Sequence, residues 1–335
     1  MTGKKVLILV NTGTPDEAKV GAVRRYLSEF LNDRRVIDIP WLFRKLLVNL
    51  IIVPFRAPVS TRKYKKLWTA EGSPLLCNLN NLVNRVRSGL SDEYLVIGAM
   101  RYGSPSLEMV LDHIRNLSPE EIIILPLFPH YASSTTGSVN EYIINKIGRW
   151  DLIPGIRLVR QFYSHPAYLD AMISHLRVYD PVSYDHVLFT YHGLPLSHIE
   201  KIHPGSDCKN CSCEKLFPSE CTMCYKATCY ATTRSLADKL DLPSGKFSTS
   251  FQSRLTRRWL EPFTDNVLIN LARSGKKSVL VIAPSFVADC LETILEIDEE
   301  YRILFKKEGG EKFVMAKSLN DNDQWAKAII QMSGL

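Results

Sequence analysis

The alternation of short apolar runs with longer segments of helical periodicity constrains this chain most. The runs Lys5–Val10, Tyr94–Ala99, Glu121–Leu127, Ile156–Arg160, His186–Tyr191, Lys246–Phe251 and Ser278–Ala283 read as strands. Several, such as EIIILPLF and SVLVIAP, are apolar without interruption. Strands covered on both faces of a parallel sheet have this composition. Helical patterns lie between them, for example over Asp16–Leu31, Leu75–Leu90, Ser106–Asn116, Pro166–Val178, Tyr225–Leu240 and Asp289–Phe305. The alternation predicts an α/β fold with parallel sheets. Seven strands fit one sheet or two four-stranded ones, and 335 residues favour two similar lobes with a boundary near Trp150–Pro166.

Ligands of such sheets sit outside the carboxyl ends of the strands. Four strand-end segments carry small, hydroxylated and ionisable residues there: Asn11–Pro15, Phe128–Gly137, His192–Pro195 and Pro284–Glu292. Neither G-x-G-x-x-G nor G-x-x-x-x-G-K-[ST] occurs, so the usual phosphate cradles are missing. The absence of G-x-S-x-G and H-E-x-x-H leaves the α/β-hydrolase and helical zinc-protease readings without support. His192, between an apolar run and a glycine, is placed to act as a base or ligand near neutrality; the alternative is a structural histidine closing a loop. Glu292 lies in the first turn after a strand-end loop, where the helix dipole favours an anion, and Asp289 is a cap candidate. Glu292, Glu296, Glu299 and Glu300 recur at helical spacing and are expected mostly to share a face; a solvated acidic face is the better reading of Glu299 and Glu300. A histidine with carboxylates suits ferrous iron.

With 45% hydrophobic and 23% charged residues, the composition excludes a disordered chain, a collagen and a coiled coil. The net charge of +7 suits an anionic ligand or surface but is too diffuse to imply nucleic acid. The opening MTGKKVLILVNTG lacks a secretory signal pattern, so a cytoplasmic location is expected. Leu46–Phe55 is too short to span a bilayer, and the stretch from Arg56 to Trp68 holds five basic residues in 13. Together, 46–68 read either as an apolar lip with a cationic edge, suited to a carboxylate-bearing apolar ligand or shallow membrane contact, or as a solvated helix face beside a core helix.

Six of the eight cysteines, Cys208, Cys211, Cys213, Cys221, Cys224 and Cys229, fall within 22 residues. Two C-x2-C pairs, Cys208/Cys211 and Cys221/Cys224, indicate a metal site. Four thiolates accommodate zinc or an iron–sulfur cluster, and the spacing does not choose.

These residues resemble the ferrochelatases over nearly the whole chain. The resemblance rests on LVNTGTPD (Leu9–Asp16), EGSPL (Glu71–Leu75), MRYGSPS (Met100–Ser106), LPLFPHYASSTTGS (Leu125–Ser138), YHGLP (Tyr191–Pro195), FQSR (Phe251–Arg254) and ADCLETILEI (Ala288–Ile297). It implies the chelatase fold: two Rossmann-like lobes with four-stranded parallel sheets around a porphyrin cleft. Residues 1–160 would form the first lobe, completed by 310–335, and 161–309 the second, with a cysteine-rich insertion at 205–229. The implied activity is insertion of ferrous iron into protoporphyrin IX to give protohaem, the terminal step of haem biosynthesis. The resemblance makes His192 and Glu292 the catalytic and iron-site pair. It places Thr12, Arg101, Tyr102, Tyr131 and Ser133 by the porphyrin or metal path, and 46–68 at a peripheral contact with the inner face of the cytoplasmic membrane. Thr12 stands where relatives usually carry a larger apolar residue.

Some family members hold a 2Fe–2S cluster in an internal segment. That implies Cys208, Cys211, Cys221 and Cys224 as ligands, with Cys213 the main rival and Cys229, which matches a cysteine of cluster-free relatives, ranked lower; zinc is the alternative. Two other readings remain beside this one: a chelatase for coproporphyrin or for cobalt or nickel, and a porphyrin- or iron-binding sensor.

Overall fold

A computed structural model describes residues 5–203, 208, 210–217 and 222–335; Cys221 lies outside the described residues. Eight strands among them form two four-stranded sheets, both wholly parallel. β1 (Lys5–Thr14), β2 (Tyr94–Gly103), β3 (Glu121–Pro126) and β4 (Gly155–Leu158) lie in the order β2-β1-β3-β4. β5 (His186–His192), β6 (Phe247–Gln252), β7 (Ser278–Ile282) and β8 (Lys312–Met315) repeat it as β6-β5-β7-β8. In each sheet the order reverses beside the first strand, between β1 and β3 and between β5 and β7. Such a switch point opens a crevice at the carboxyl ends.

The apolar runs do what their composition demands. Val6–Val10 of β1 and Val187–Phe189 of β5 have no exposed surface. In the first sheet Val6, Ile8 and Val10 pack with Leu111, Ile114, Ile143 and Ile147. In the second, Leu188, Val279 and Val281 pack with Leu268, Ile297, Phe305 and Phe313. Burial of each such side chain contributes roughly 1.5–3 kcal/mol.

The chain divides into two compact units. The first comprises 1–128, 132–161 and 320–335; the second comprises 129–131 and 162–319. The return to the first unit therefore begins at Asn320, not at the expected residue 310. The intervening Lys312–Met315 is β8, paired with β7, a strand too short and too polar at its start to stand out in the sequence. The helix expected from Asp16 begins at Val20. A helical run covers Trp41–Leu46, a wide π-type turn at Leu47–Ile52 and Val53–Leu67, so the stretch read in the sequence as a lip or a helix face is helical and starts earlier than 46. The expected Asp289–Phe305 helix is instead a π-helix over Glu292–Tyr301 continued by the α-helix Arg302–Lys307.

β1 and β2 stay paired to their last residues, with Gly13 opposite Tyr102. Gly13 has φ +128°, and a Cβ there would lie 1.8 Å from the Tyr102 carbonyl oxygen. Only glycine allows this approach, which fixes the carboxyl ends of both strands. Gly13→Ala is expected to destabilise the protein by more than about 1 kcal/mol, read as a lower urea midpoint; an unchanged midpoint contradicts the requirement.

Candidate active site

His192 is the last residue of β5, opposite Gln252 in β6. A C-terminal position on a central strand aims a side chain out of the packed interior, and His192 is half-buried. Its Nδ1 lies 2.6 Å from the Gly193 carbonyl oxygen, so Nδ1–H donates to that acceptor and Nε2 keeps a lone pair. Trp259 and Phe286 flank the imidazole, with ring centroids at 6.3 and 6.4 Å. The Tyr225 hydroxyl donates to the His192 carbonyl at 2.9 Å. Gly193 lies so close to β6 that a Cβ would come within 2.8 Å of the Gln252 carbonyl oxygen. The following loop is pinned where Leu196 N–H donates to Arg258 and Leu260 N–H to Leu194, both at 3.0 Å. Below the site, Thr190 bonds to Gln252 at 3.0 Å and Thr264 at 2.8 Å, a buried polar layer without charge.

Glu292 opens the π-helix, half-buried, and accepts a hydrogen bond from the Cys290 thiol; burial, then the carboxylate's charge, pushes that thiol's pKa well up. Glu296, also half-buried, is held by three hydrogen bonds. It accepts from the Ser253 backbone at 2.9 Å and hydroxyl at 2.6 Å, and from the Tyr301 hydroxyl at 3.0 Å. Ser253 adopts φ +62° to do so, a costly conformation for a residue with a Cβ. Glu299 and Glu300 are exposed. The solvated reading of Glu299 and Glu300 agrees with their exposure, while Glu292 and Glu296 are half-buried. Asp289 accepts from the Thr293 hydroxyl at 3.3 Å and the Ser318 backbone N–H at 3.1 Å, tying this helix start to a neighbouring loop.

In the first unit, Thr12 near the end of β1 and Ser133, which opens the wide turn Ser133–Gly137, are half-buried. Arg101 and Tyr102 meet at Asp33, which the sequence reading missed. One Asp33 oxygen accepts from the Arg101 guanidinium at 2.9 Å, the Tyr102 hydroxyl at 2.8 Å and the Ser138 hydroxyl at 2.5 Å. The other accepts from the Arg35 N–H at 2.7 Å. Burial raises the Asp33 pKa, but hydrogen bonds from Ser138, Arg35 and Tyr102 and the Arg101 charge outweigh it, and the net direction is down. Tyr102 is buried and its hydroxyl is driven far up by burial and by the Asp33 charge. Arg35 bridges to Glu141 at 2.5 Å and Ser133 at 3.0 Å, and Arg34 also pairs with Glu141. The only signal in the sequence was Asp33-Arg34-Arg35, three charges in a row after a helix. A recess of about 670 Å³ beside the network is lined by Arg25, Glu29, Asp33, Arg101 and Tyr142 among others.

In the second unit Tyr131 is half-buried, and His130 beside it is fully enclosed. His130 Nε2 lies 2.9 Å from the Thr232 hydroxyl, and burial pushes the imidazole pKa down to about 3. It is neutral at physiological pH.

Of the cysteines, Cys208, Cys213 and Cys224 are buried and Cys211 is half-buried. Cys211 and Cys213 hydrogen-bond to each other, and Cys224 acts electrostatically on Cys213. Burial, the bond to Cys211 and the charge of Cys224 push Cys213 up to about 12. Cys229 is buried within the Tyr225–Lys239 helix and interacts with Tyr225. Among the described residues no three His, Cys, Asp or Glu side chains stand in a ready-made metal array.

Along the helical run of 41–67, Trp41, Leu42, Phe43, Leu46, Leu50, Ile51, Phe55 and Val59 are exposed, whereas Val48, Val53, Ala57, Tyr64 and Leu67 are buried. The exposed apolar face thus starts five residues before the stretch marked in the sequence. Among the described residues no helix is long and apolar enough to cross a membrane.

Comparison with known proteins gives concordant matches. The sequence model of the family described as Ferrochelatase matches residues 4–333. The chain is similar to a Ferrochelatase of Legionella pneumophila (strain Corby), 41% identical over 334 residues, covering 97% of both chains. It is similar to one of Coxiella burnetii (strain Dugway 5J108-111), 40% identical over 337 residues, covering 98% of this chain and 92% of the relative. One from Pseudomonas putida (strain W619) is 38% identical, covering 97% of each. Among solved structures, the sirohydrochlorin chelatase SirB of Bacillus subtilis subspecies spizizenii in complex with cobalt superposes with a TM-score of 0.54. At 10% identity it covers 99% of this chain and 94% of its own, a likeness of fold.

Asp33→Asn is expected to destabilise the protein by roughly 3 kcal/mol at pH 7, because it removes the charge that neutralises a largely buried Arg101. The folded carboxyl titrates below its ordinary value of 3.8. Its contribution is therefore complete above that value and is lost as pH falls through the lower folded pKa. Urea unfolding should show the gap between wild type and Asp33→Asn closing below about pH 4; equal stabilities at pH 7 would contradict the role.

Proposed function

This chain belongs to the ferrochelatase family, and from that premise we propose how its residues share the work. It inserts ferrous iron into protoporphyrin IX for haem synthesis. Two pyrrole N–H bonds break, four iron–nitrogen bonds form, two protons leave and the iron stays ferrous. The difficulty is access: a planar macrocycle hides its nitrogen lone pairs, and the ion must shed water. Binding energy from the rest of the ring can offset an out-of-plane distortion that exposes them.

His192 accepts a pyrrole proton at Nε2. The observation that carries this assignment is the Nδ1–H bond to the Gly193 carbonyl, which fixes the tautomer with its basic nitrogen free. Glu292 binds iron or passes protons on. Support comes from its place at the head of a helix and from the anchoring of Glu296, which leaves Glu292 as the half-buried carboxylate of that turn not tied to Ser253. Thr12, Tyr131 and Ser133 contact porphyrin. Arg101 and Tyr102, with polar atoms committed to Asp33 and Ser138, brace the end of β2 in the first unit.

The cysteine segment holds a 2Fe–2S cluster. The donor set fits in chemistry: Cys211, Cys213 and Cys224 interact, and a buried lysine, Lys226, lies 3.3 Å from the Cys211 sulfur. Cys208, Cys211, Cys221 and Cys224 would hold it, with Cys213 the alternative to one of them. When bound, such a cluster supplies a one-electron centre, which a non-redox insertion does not use.

The exposed face of 41–59, edged by Arg56, Arg62, Lys65 and Lys66, makes peripheral contact with an anionic membrane surface.

His192→Ala should lower the insertion rate at least about 100-fold with circular dichroism unchanged. The assay follows absorbance of the metallated ring after anaerobic mixing of ferrous iron with protoporphyrin, coproporphyrin or other tetrapyrroles. A folded His192→Ala enzyme of near wild-type rate would refute the assignment. Replacing Trp41, Phe43, Leu50 and Phe55 together by serine should weaken cosedimentation with phosphatidylglycerol vesicles by roughly tenfold or more; undiminished cosedimentation argues against the membrane face.

A further inference from the structure

The Tyr225–Lys239 helix begins immediately after Cys224, its N-cap residue. Lys226, Tyr230 and Arg234 follow at intervals of four and so lie along one side of it. That side faces the cysteine segment. Arg234 Nη1 donates to the Glu214 carbonyl at 2.8 Å, and the Tyr230 hydroxyl hydrogen-bonds with the Glu214 side chain. Lys226 Nζ donates to the Cys208 carbonyl at 2.8 Å and reaches the Cys211 sulfur at 3.3 Å.

Lys226 is only 4% exposed. Its hydrogen-bond partners among the described residues are a carbonyl and a thiol, neither of them a carboxylate. A buried ammonium needs a compensating negative charge. The sulfurs beside it are the groups able to supply one, as thiolates or as cluster ligands. The amino end of a 15-residue helix adds positive potential at Cys224.

We propose that Lys226 is the built-in counter-cation of the cysteine site, donating a hydrogen bond to the Cys211 sulfur and making a cluster bound there easier to reduce. This rests on the assignment of a 2Fe–2S cluster to the segment. One-electron reduction adds negative charge to the cluster, and a fixed cation and a donor to sulfur both stabilise the reduced form. Lys226 is thus a tuning residue for the cluster and takes no part in handling porphyrin.

The test uses the full-length protein purified anaerobically as wild type, Lys226→Met and Lys226→Arg. Iron and acid-labile sulfide are counted, and the midpoint of a dye-mediated dithionite titration is read by visible absorbance and electron paramagnetic resonance. Wild type should carry iron and sulfide in equal amounts. Lys226→Met should shift the midpoint to a more negative potential, and Lys226→Arg should restore most of the shift. A Lys226→Met protein that loses its cluster while Lys226→Arg keeps it also supports the counter-charge role; loss from both counts against it. A cluster-bearing Lys226→Met protein with the wild-type midpoint overturns the role of Lys226 alone. Wild-type protein with zinc, or with neither iron nor sulfide, overturns the cluster assignment beneath it.

Discussion

Everything functional in this chain depends on parallel strands that must be covered on both faces. A parallel pair cannot close through a tight hairpin, so the connections within each sheet are crossovers. Such crossovers return every strand of a sheet in the same direction. The result is that carboxyl ends gather on one rim of each sheet, and the loops there are free of the packing demands that fill Val6–Val10 and Val187–Phe189 with aliphatic and aromatic bulk. Thr12 and His192 sit at such ends, Tyr131 follows β3 within five residues, and Glu292 opens the helix that follows the loop after β7.

The two units handle polarity in opposite ways. Beside β2 the first unit buries a carboxylate, and four donors to Asp33 more than compensate the desolvation of its charge. Beneath His192 the second unit uses neutral groups alone, Thr190, Gln252, Thr264 and Ser250. The strand end that carries His192 thus rests on hydrogen bonds between uncharged groups. The buried His130, held neutral, fits the same pattern.

Three wide helical turns, Leu47–Ile52, Ser133–Gly137 and Glu292–Tyr301, occur among the described residues. Each coincides with a position argued above to meet a ligand or a surface. A π turn sacrifices hydrogen-bond geometry and persists only where side chains fix it. At the third, Ser253 and Tyr301 grip Glu296 and so hold the turn open around Glu292. The cysteine segment is held by similar means, with Lys226 and Arg234 clasping its carbonyls from one side of a regular helix.

The chain's own order of residues determined the fold class, because uninterrupted apolar runs such as Ile122–Leu125 have no stable home except between two covering layers. It also determined where chemistry would lie, since His192-Gly193 and the Ala288–Ile297 stretch follow such runs directly. Local pattern could not show β8, which is four residues long and acquires its identity only by pairing with β7. Nor could it show that the Glu292 helix would widen, because the 3.6-residue period presumes a regular α-helix. The Asp33 network joins residues up to 105 positions apart, and the pairing of Lys226 with Cys211 depends on a loop folding back onto a helix. Tertiary structure alone decided these, because a buried charge finds its partners by proximity in space, and proximity in sequence carries no information about which partner that will be.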